Sequence, residues 1–218
     1  MSADGVNPAE DVRAPRDTRS SDKKGRRPFS SQELKSVLEK AQTTWSKPGR
    51  DTDLLMMLRV LIYTGARPLE IAQLRPCDVE NGVISINDHD GKLIKNEASI
   101  RDVPIHPAIA DFELFAKSGG QLAFKSFETI QDRKAEALSS RFTKLIRHQL
   151  KITDQRKTLY SLRHSFADAC RNANIPHGIR YQLMGHVESN KNAAGYGTGA
   201  SIETLRRELA KVDPLACG

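Results

Sequence analysis

Residues 52–74 read TDLLMMLRVLIYTGARPLEIAQL, and this stretch decides the fold class. Leu54 to Tyr63 is the longest apolar run in the chain, and Arg59 already interrupts it. It falls far short of the ~18 to 20 apolar residues of a membrane span. It reads instead as a core helix from about Thr52 to Tyr63. Thr64-Gly65 breaks that helix, and Pro68, with its fixed φ, suits the first turn of another helix running to about Leu74. The junction carries Arg67 and Glu70. Arg67 stands at a helix start, where backbone N–H groups and a guanidinium can both face an anion. Glu70, one turn on, is spaced to hold it.

On the N-terminal side, Ser30 and Glu33 form a capping box, with Phe29 and Leu34 as the hydrophobic staple across it. Leu34, Val37, Leu38, Ala41 and Trp45 then recur at helical spacing. Residues 1–28 hold seven bases and five acids with scarcely an aromatic or branched side chain. They cannot bury enough to offset their ordering entropy and read as a disordered basic, polar tail. Its end, Lys23-Lys24-Gly25-Arg26-Arg27, is either a solvated linker or a stretch that brushes a phosphate backbone.

On the C-terminal side, Val83-Ile84-Ser85-Ile86 reads as a strand. After a turn at Asp88–Gly91, Lys92–Lys95 and Ile100–Ile105 suggest two more, Pro104 making the last an edge strand or ending it. The remainder reads as helical. One stripe is Ala135, Leu138, Phe142, Leu145 and Ile146; another is Leu162, Phe166, Ala169 and Ala173. A short helix follows Pro176 with Ile179 and Leu183 inward, residues 187–199 form a mobile Asn- and Gly-rich loop, and Leu205, Leu209 and Val212 close the chain on an amphipathic helix. The expected architecture is mainly α with a small antiparallel β-sheet, an α+β fold.

Composition narrows the function. The 218 residues suit one domain, or one large and one small unit, with 38% hydrophobic and 28% charged residues. The start, MSADGVNPAED, has acids where a secretory signal needs a basic end followed by an apolar segment. Cys77, Cys170 and Cys217 are far apart and in no CxxC pairing, which argues against a disulfide framework or a Cys-based zinc site. Membrane, secreted and collagen-like classes are thereby excluded, and a cytoplasmic protein is expected. Net charge is +7, from 34 Lys and Arg against 27 Asp and Glu. A polyanion partner fits, because each phosphate neutralised releases condensed counterions.

Two further strings carry polar residues. In Leu159-Tyr160-Ser161-Leu162-Arg163-His164-Ser165-Phe166, the inward Leu162 and Phe166 fix Arg163 near a helix start. Gly185-His186 is followed ten residues later by Tyr196 between two glycines, which supply no side chains to pack a core tyrosine. In this order and at these separations, the three strings resemble the catalytic domain of tyrosine recombinases, the phage-integrase family. That family shows Arg in a T-G-x-R-x-x-E string, Lys in a β-turn, an H-x-x-R box, a His or Trp after Gly, and a nucleophilic Tyr. Arg67 with Glu70 matches the first. Lys95 matches the Lys, since Lys95-Asn96-Glu97-Ala98-Ser99 leads into Arg101-Asp102-Val103-Pro104 much as family hairpins do; Lys92 is the fallback. Arg163, His186 and Tyr196 match the rest. Tyr160 stands where the box normally has His. The resemblance assigns 29–212 to the catalytic domain and 213–218 to a C-terminal tail, and residues 1–28 are too short for the family's N-terminal core-binding domain.

The resemblance implies site-specific recombination of duplex DNA, integration or excision, by a homo-tetramer on paired sites. The protein would be bacterial or phage-encoded and nucleoid-associated. Tyr196 would attack the phosphorus to give a 3′-phosphotyrosyl bond and a free 5′-hydroxyl. Arg67, Arg163 and His186 would stabilise charge on the non-bridging oxygens, and Lys95 would protonate the leaving oxygen. No cofactor and no metal is implied. A phenol of ordinary pKa ~10 is a poor base near neutrality, so Tyr160 implies slowed cleavage. Arg75, Arg101, Arg141, Lys144, Arg147 and Lys151 are expected to track the DNA backbone, with His148, Arg156 and Lys157 nearby. Two rivals stay open: an impaired DNA-binding remnant or regulator, and a type IB topoisomerase-like nicking-closing enzyme.

Overall fold

In the computed structural model, residues 25–128, 134–186 and 199–216 are described. Helix α1 (Ser31–Thr44) starts as its sequence requires: Ser30 Oγ accepts from Glu33 N–H, and the Glu33 carboxylate accepts from Ser30 N–H at 2.8 Å. It buries Leu34, Val37 and Ala41, with Trp45 just past its end. Helix α2 (Arg50–Thr64) is apolar on nearly every side because it is central, packing against α1, α3 (Pro68–Ala72) and α6 (Ser161–Asn172). Arg59 leaves the core by a bidentate pair with Asp111 at 2.7 and 2.9 Å.

The sheet is antiparallel in the order β1 (Val79–Glu80), β2 (Val83–Ile86), β3 (Arg101–Pro104). Asn81 and Gly82, at φ 53° and 70°, make the turn between the first two strands. The expected strand at Lys92–Lys95 does not form. Instead the Gln73 carboxamide pairs with both backbone groups of Leu93, accepting from its N–H at 2.9 Å and donating to its C=O at 2.8 Å. One side chain does the work of a strand partner there, and β1 supplies the third strand. Pro104 ends β3 at the sheet edge, as expected.

Helix α4 (Phe112–Lys117) was not expected; it seats Phe112 beside Phe115 and Phe124, with Phe127 against Phe124. Helix α5 (Lys134–Lys144) runs into a wider turn at Leu145–Gln149 and buries the expected Leu138, Phe142, Leu145 and Ile146. Then come α6, α7 (His177–Met184) and α8 (Ile202–Leu209), the last inserting Leu205 and Leu209 beside β3. Ahead of α1, Arg27 N–H donates to Arg156 O, and Phe29 N–H to Ser165 Oγ. Among the described residues, no helix is long and apolar enough to cross a membrane.

Candidate functional site

The α2–α3 junction explains its own sequence. Gly65 closes α2 with φ +61°, and a Cβ there would lie 2.4 Å from Cδ1 of Phe166. Glycine is required on both counts. Its carbonyl accepts a hydrogen bond from Arg163 Nη1 at 2.7 Å. The Thr-Gly step therefore brings α6 against α2 and fixes the Arg163 guanidinium. The helix start expected to face an anion at Arg67 is closed, because Glu70 Oε2 accepts from Arg67 N–H at 2.9 Å.

The guanidiniums meet at the C-terminal end of α7. Three successive carbonyls there each accept from a different arginine: Leu183 from Arg101 Nε at 2.9 Å, Met184 from Arg163 Nη2, and Gly185 from Arg67 Nη2 at 3.4 Å. The last carbonyls of a helix lack intrahelical partners and carry its negative dipole end, so cations collect there. Gly185 has φ +59°, and a Cβ on it would stand 2.7 Å from Arg101 Nη1. Glu70 bridges two of the arginines, Oε1 accepting from Arg67 Nη1 at 2.5 Å and Oε2 from Arg101 Nη2 at 2.9 Å.

Among the described residues, charge within this cluster does not balance. The side chains of Glu70 and Arg101 are only 2% and 4% exposed, Arg67 is 13% exposed, and Arg163 is buried too. Three guanidiniums share one carboxylate, leaving a formal excess of two positive charges. Arg67 Nε is buried with no partner among the described residues. Burial raises the Glu70 pKa, but Arg101 and Arg67 together hold it below the ordinary carboxylate value. Arg163 is lowered to about 10, first by burial and then by Arg67 and Arg101, and stays charged at neutral pH. His186, edge-on to Tyr181 at 5.3 Å, is lowered to about 4 by burial and by the charges of Arg163, Arg67, Arg101 and Arg180. Its imidazole is neutral, with one donor and one acceptor nitrogen. The arrangement is a preorganised set of donors carrying excess positive charge, suited to an anion with several oxygens.

Tyr160 sits at the N-cap of α6, one turn before Arg163, with the Arg26 guanidinium 4.4 Å above its ring. Lys95 is exposed in the segment between β2 and β3, which is tied to the cluster where Ser99 Oγ accepts from Arg67 Nη1 at 3.0 Å. Lys92 is not a free alternative: Asp78 and Asn87 bind its ammonium at 2.7 Å each. Tyr196 lies outside the described residues. The described chain resumes at Gly199, and the Gln182 amide of α7 holds Ala200 through both backbone groups.

The expected backbone-tracking bases divide. Arg101 is a correction: it is buried inside the cluster. Alternation along β3, which turns Arg101 and Val103 to the same face, carried that signal. Arg147 is another, since it points inward to the carbonyls of Ile152 (2.5 Å) and Lys157 (2.6 Å). Arg141 pairs with Asp51 and Arg75 with Asp90, both partly exposed. Lys144 and Lys151 are exposed, although Lys151, at φ 56°, lies past the helix and off its face. Sequence reasoning missed the three carbonyls of α7 and the Arg26–Tyr160 contact; neither leaves a local pattern.

Similar solved structures share this architecture. The integrase from mycobacterium phage Brujita aligns over 87% of this chain and 59% of its own, with a TM-score of 0.58 at 16% identity. The Tn1549 transposon integrase, in complex with circular intermediate DNA, aligns over 87% of this chain and 66% of its own (TM-score 0.57, 18% identity). The lambda integrase catalytic core is covered to 95% by 76% of this chain (TM-score 0.52, 14% identity). The fold is that of a tyrosine recombinase catalytic domain. No protein-family model and no curated protein matches the sequence. At these identities the likeness to tyrosine recombinases is one of fold, and this chain spans under two thirds of the phage and transposon integrases. In the recombinase fold as built here, the α2–α3 junction, β3, α6 and α7 converge on the arginine cluster.

Proposed function

We propose that this chain cuts and rejoins duplex DNA by transesterification, with residues 29–212 as the catalytic unit. The observation that carries this reading is the excess of positive charge among the described residues at Arg67, Arg101 and Arg163, with Arg67 Nε buried and unpartnered among them. Stranded buried charge costs several kcal/mol, and a phosphodiester bound there offsets that cost. The fold and the net charge of +7 agree.

In this mechanism the Tyr196 oxygen bonds to phosphorus and gives up its phenolic proton to solvent water. The bond from phosphorus to the 5′-oxygen breaks, and that oxygen takes a proton from Lys95. A 3′-phosphotyrosyl ester and a 5′-hydroxyl result; attack by a 5′-hydroxyl of another strand reverses the step, with one ester exchanged for another. Arg67 and Arg163 donate to the non-bridging oxygens as charge grows on them, and neutral His186 adds one N–H. Tyr160 donates a hydrogen bond but is a weak base, so cleavage is slow. Exchange between two duplexes breaks strands in pairs, and the working unit is a homo-tetramer.

The test is a nicked suicide duplex. The expected product is a protein–DNA adduct that survives SDS and is absent from Tyr196→Phe. A second reading, a DNA-binding regulator, is favoured by Tyr160 standing where the family has His; tight salt-dependent binding without adduct would select it and overturn the cleavage reading. Relaxation of supercoils without strand exchange would select a nicking-closing enzyme.

A further inference from the structure

The geometry points to Arg101 as a positioning residue that orients the Arg67 guanidinium through Glu70 and Ser99 while holding the His186 end of α7. The inference rests on the recombinase reading of the site. Arg101 itself is too buried to reach DNA, with its side chain 4% exposed. It touches three separate elements: Glu70 on α3 by Nη2 (2.9 Å), Ser99 O by Nη1 (2.6 Å) and Leu183 O on α7 by Nε (2.9 Å). Two of these partners also hold Arg67. Glu70 offers one oxygen to each arginine, and Ser99 offers its carbonyl to Arg101 and its hydroxyl to Arg67. Ser99 closes the segment that carries Lys95, and Leu183 stands three residues before His186.

Arg101 therefore links the proposed proton donor, one phosphate-binding arginine and the imidazole. Only a planar fork with donors in three directions does this. A lysine keeps the charge, but its three donors sit on one nitrogen and cannot span acceptors set on three sides of a guanidinium, and a methionine donates to none. Gly185 fits the same account, since any Cβ there would occupy the space of Arg101 Nη1.

The test is a double-mutant cycle of Arg101→Met and Glu70→Gln, with Arg101→Lys as a fold-preserving variant. Single-turnover adduct formation and intact-duplex affinity are both measured. Arg101→Lys is expected to slow cleavage about 100-fold, the cost of a small misplacement, with affinity nearly unchanged. The double mutant should lose little more than the worse single mutant, because both break one linkage. Wild-type cleavage by Arg101→Lys, or losses that multiply in the double mutant, would overturn the assignment. If the wild-type protein forms no adduct, the recombinase reading falls instead. The same cycle read in stabilisation by inorganic sulfate then decides the positioning role: coupled losses sustain it, independent losses end it.

Discussion

Two buried carboxylates in this molecule bind buried bases, and they are not alike. Asp78 holds Lys92, both 6% exposed, and also accepts from Asn87 and the Arg75 N–H. One acid meets one base, both carboxylate oxygens accept hydrogen bonds, and the charges cancel. Glu70 also accepts from a backbone N–H, but it serves Arg67 and Arg101 while Arg163 is packed alongside with no carboxylate of its own among the described residues. The first cluster is a finished joint: it pins the segment after β2. The second is held in shape by helix carbonyls and keeps a charge excess. Charge stoichiometry, more than burial, separates this structural ion pair from the proposed anion site.

The largest effects test that division through stability. Asp78→Asn strands the buried Lys92 and should cost about 3–5 kcal/mol, read by urea denaturation. Adding Lys92→Met should recover most of the loss, because the joint is self-contained. Glu70→Gln should cost a similar amount, and no single compensating change should recover it, since Arg101 and Arg67 both lose their anchor. Full rescue of Glu70→Gln by Arg101→Met would break the comparison.

Next comes the rate. Arg163→Ala should slow adduct formation by about 10² to 10³, whereas Asp78→Asn should leave the rate per folded molecule within about tenfold, well short of a donor's loss. Equal losses would place both clusters in one functional unit.

A smaller effect is the pH dependence of binding. His186 is held at about 4, mainly by burial and then by the neighbouring arginines, against an ordinary ~6.5. The unfolded chain therefore binds the proton first, and this group's contribution to stability is lost as pH falls from ~6.5 toward 4. A bound phosphate relieves the arginine charge and raises the His186 pKa, so DNA binding takes up a proton. Affinity should rise as pH falls from 7 toward 5, and His186→Asn should flatten the rise; a profile unchanged by that substitution would remove His186 from the phosphate. The smallest effects belong to the exposed bases. Lys144→Ala should lower the salt slope of duplex binding by about 1, Lys151→Ala should lower it less because that lysine lies off the helix face, and Arg147→Ala should act through stability instead.

Much was written locally. The Ser30–Glu33 cap, the apolar α2, the Thr64-Gly65 break and the buried stripes of α5, α6 and α8 follow from periodicity and capping, which depend on neighbours within a turn or two. The polar residues of three distant strings were likewise visible as candidates, and Arg67, Arg163 and His186 do come together. The strand expected at Lys92–Lys95 failed because a side chain from α3's end, Gln73, took its hydrogen bonds, and no local pattern records that. Arg101 read as a surface base because a charged residue in an edge strand usually faces water; here it is drawn inside by the Glu70 carboxylate and by the Leu183 carbonyl of a helix some eighty residues on. Sequence determined which elements form and which side chains are available. Only the tertiary structure decided which charges share a carboxylate and which are left in excess, because that depends on long-range packing that places the end of α7 against β3 and the α2–α3 turn.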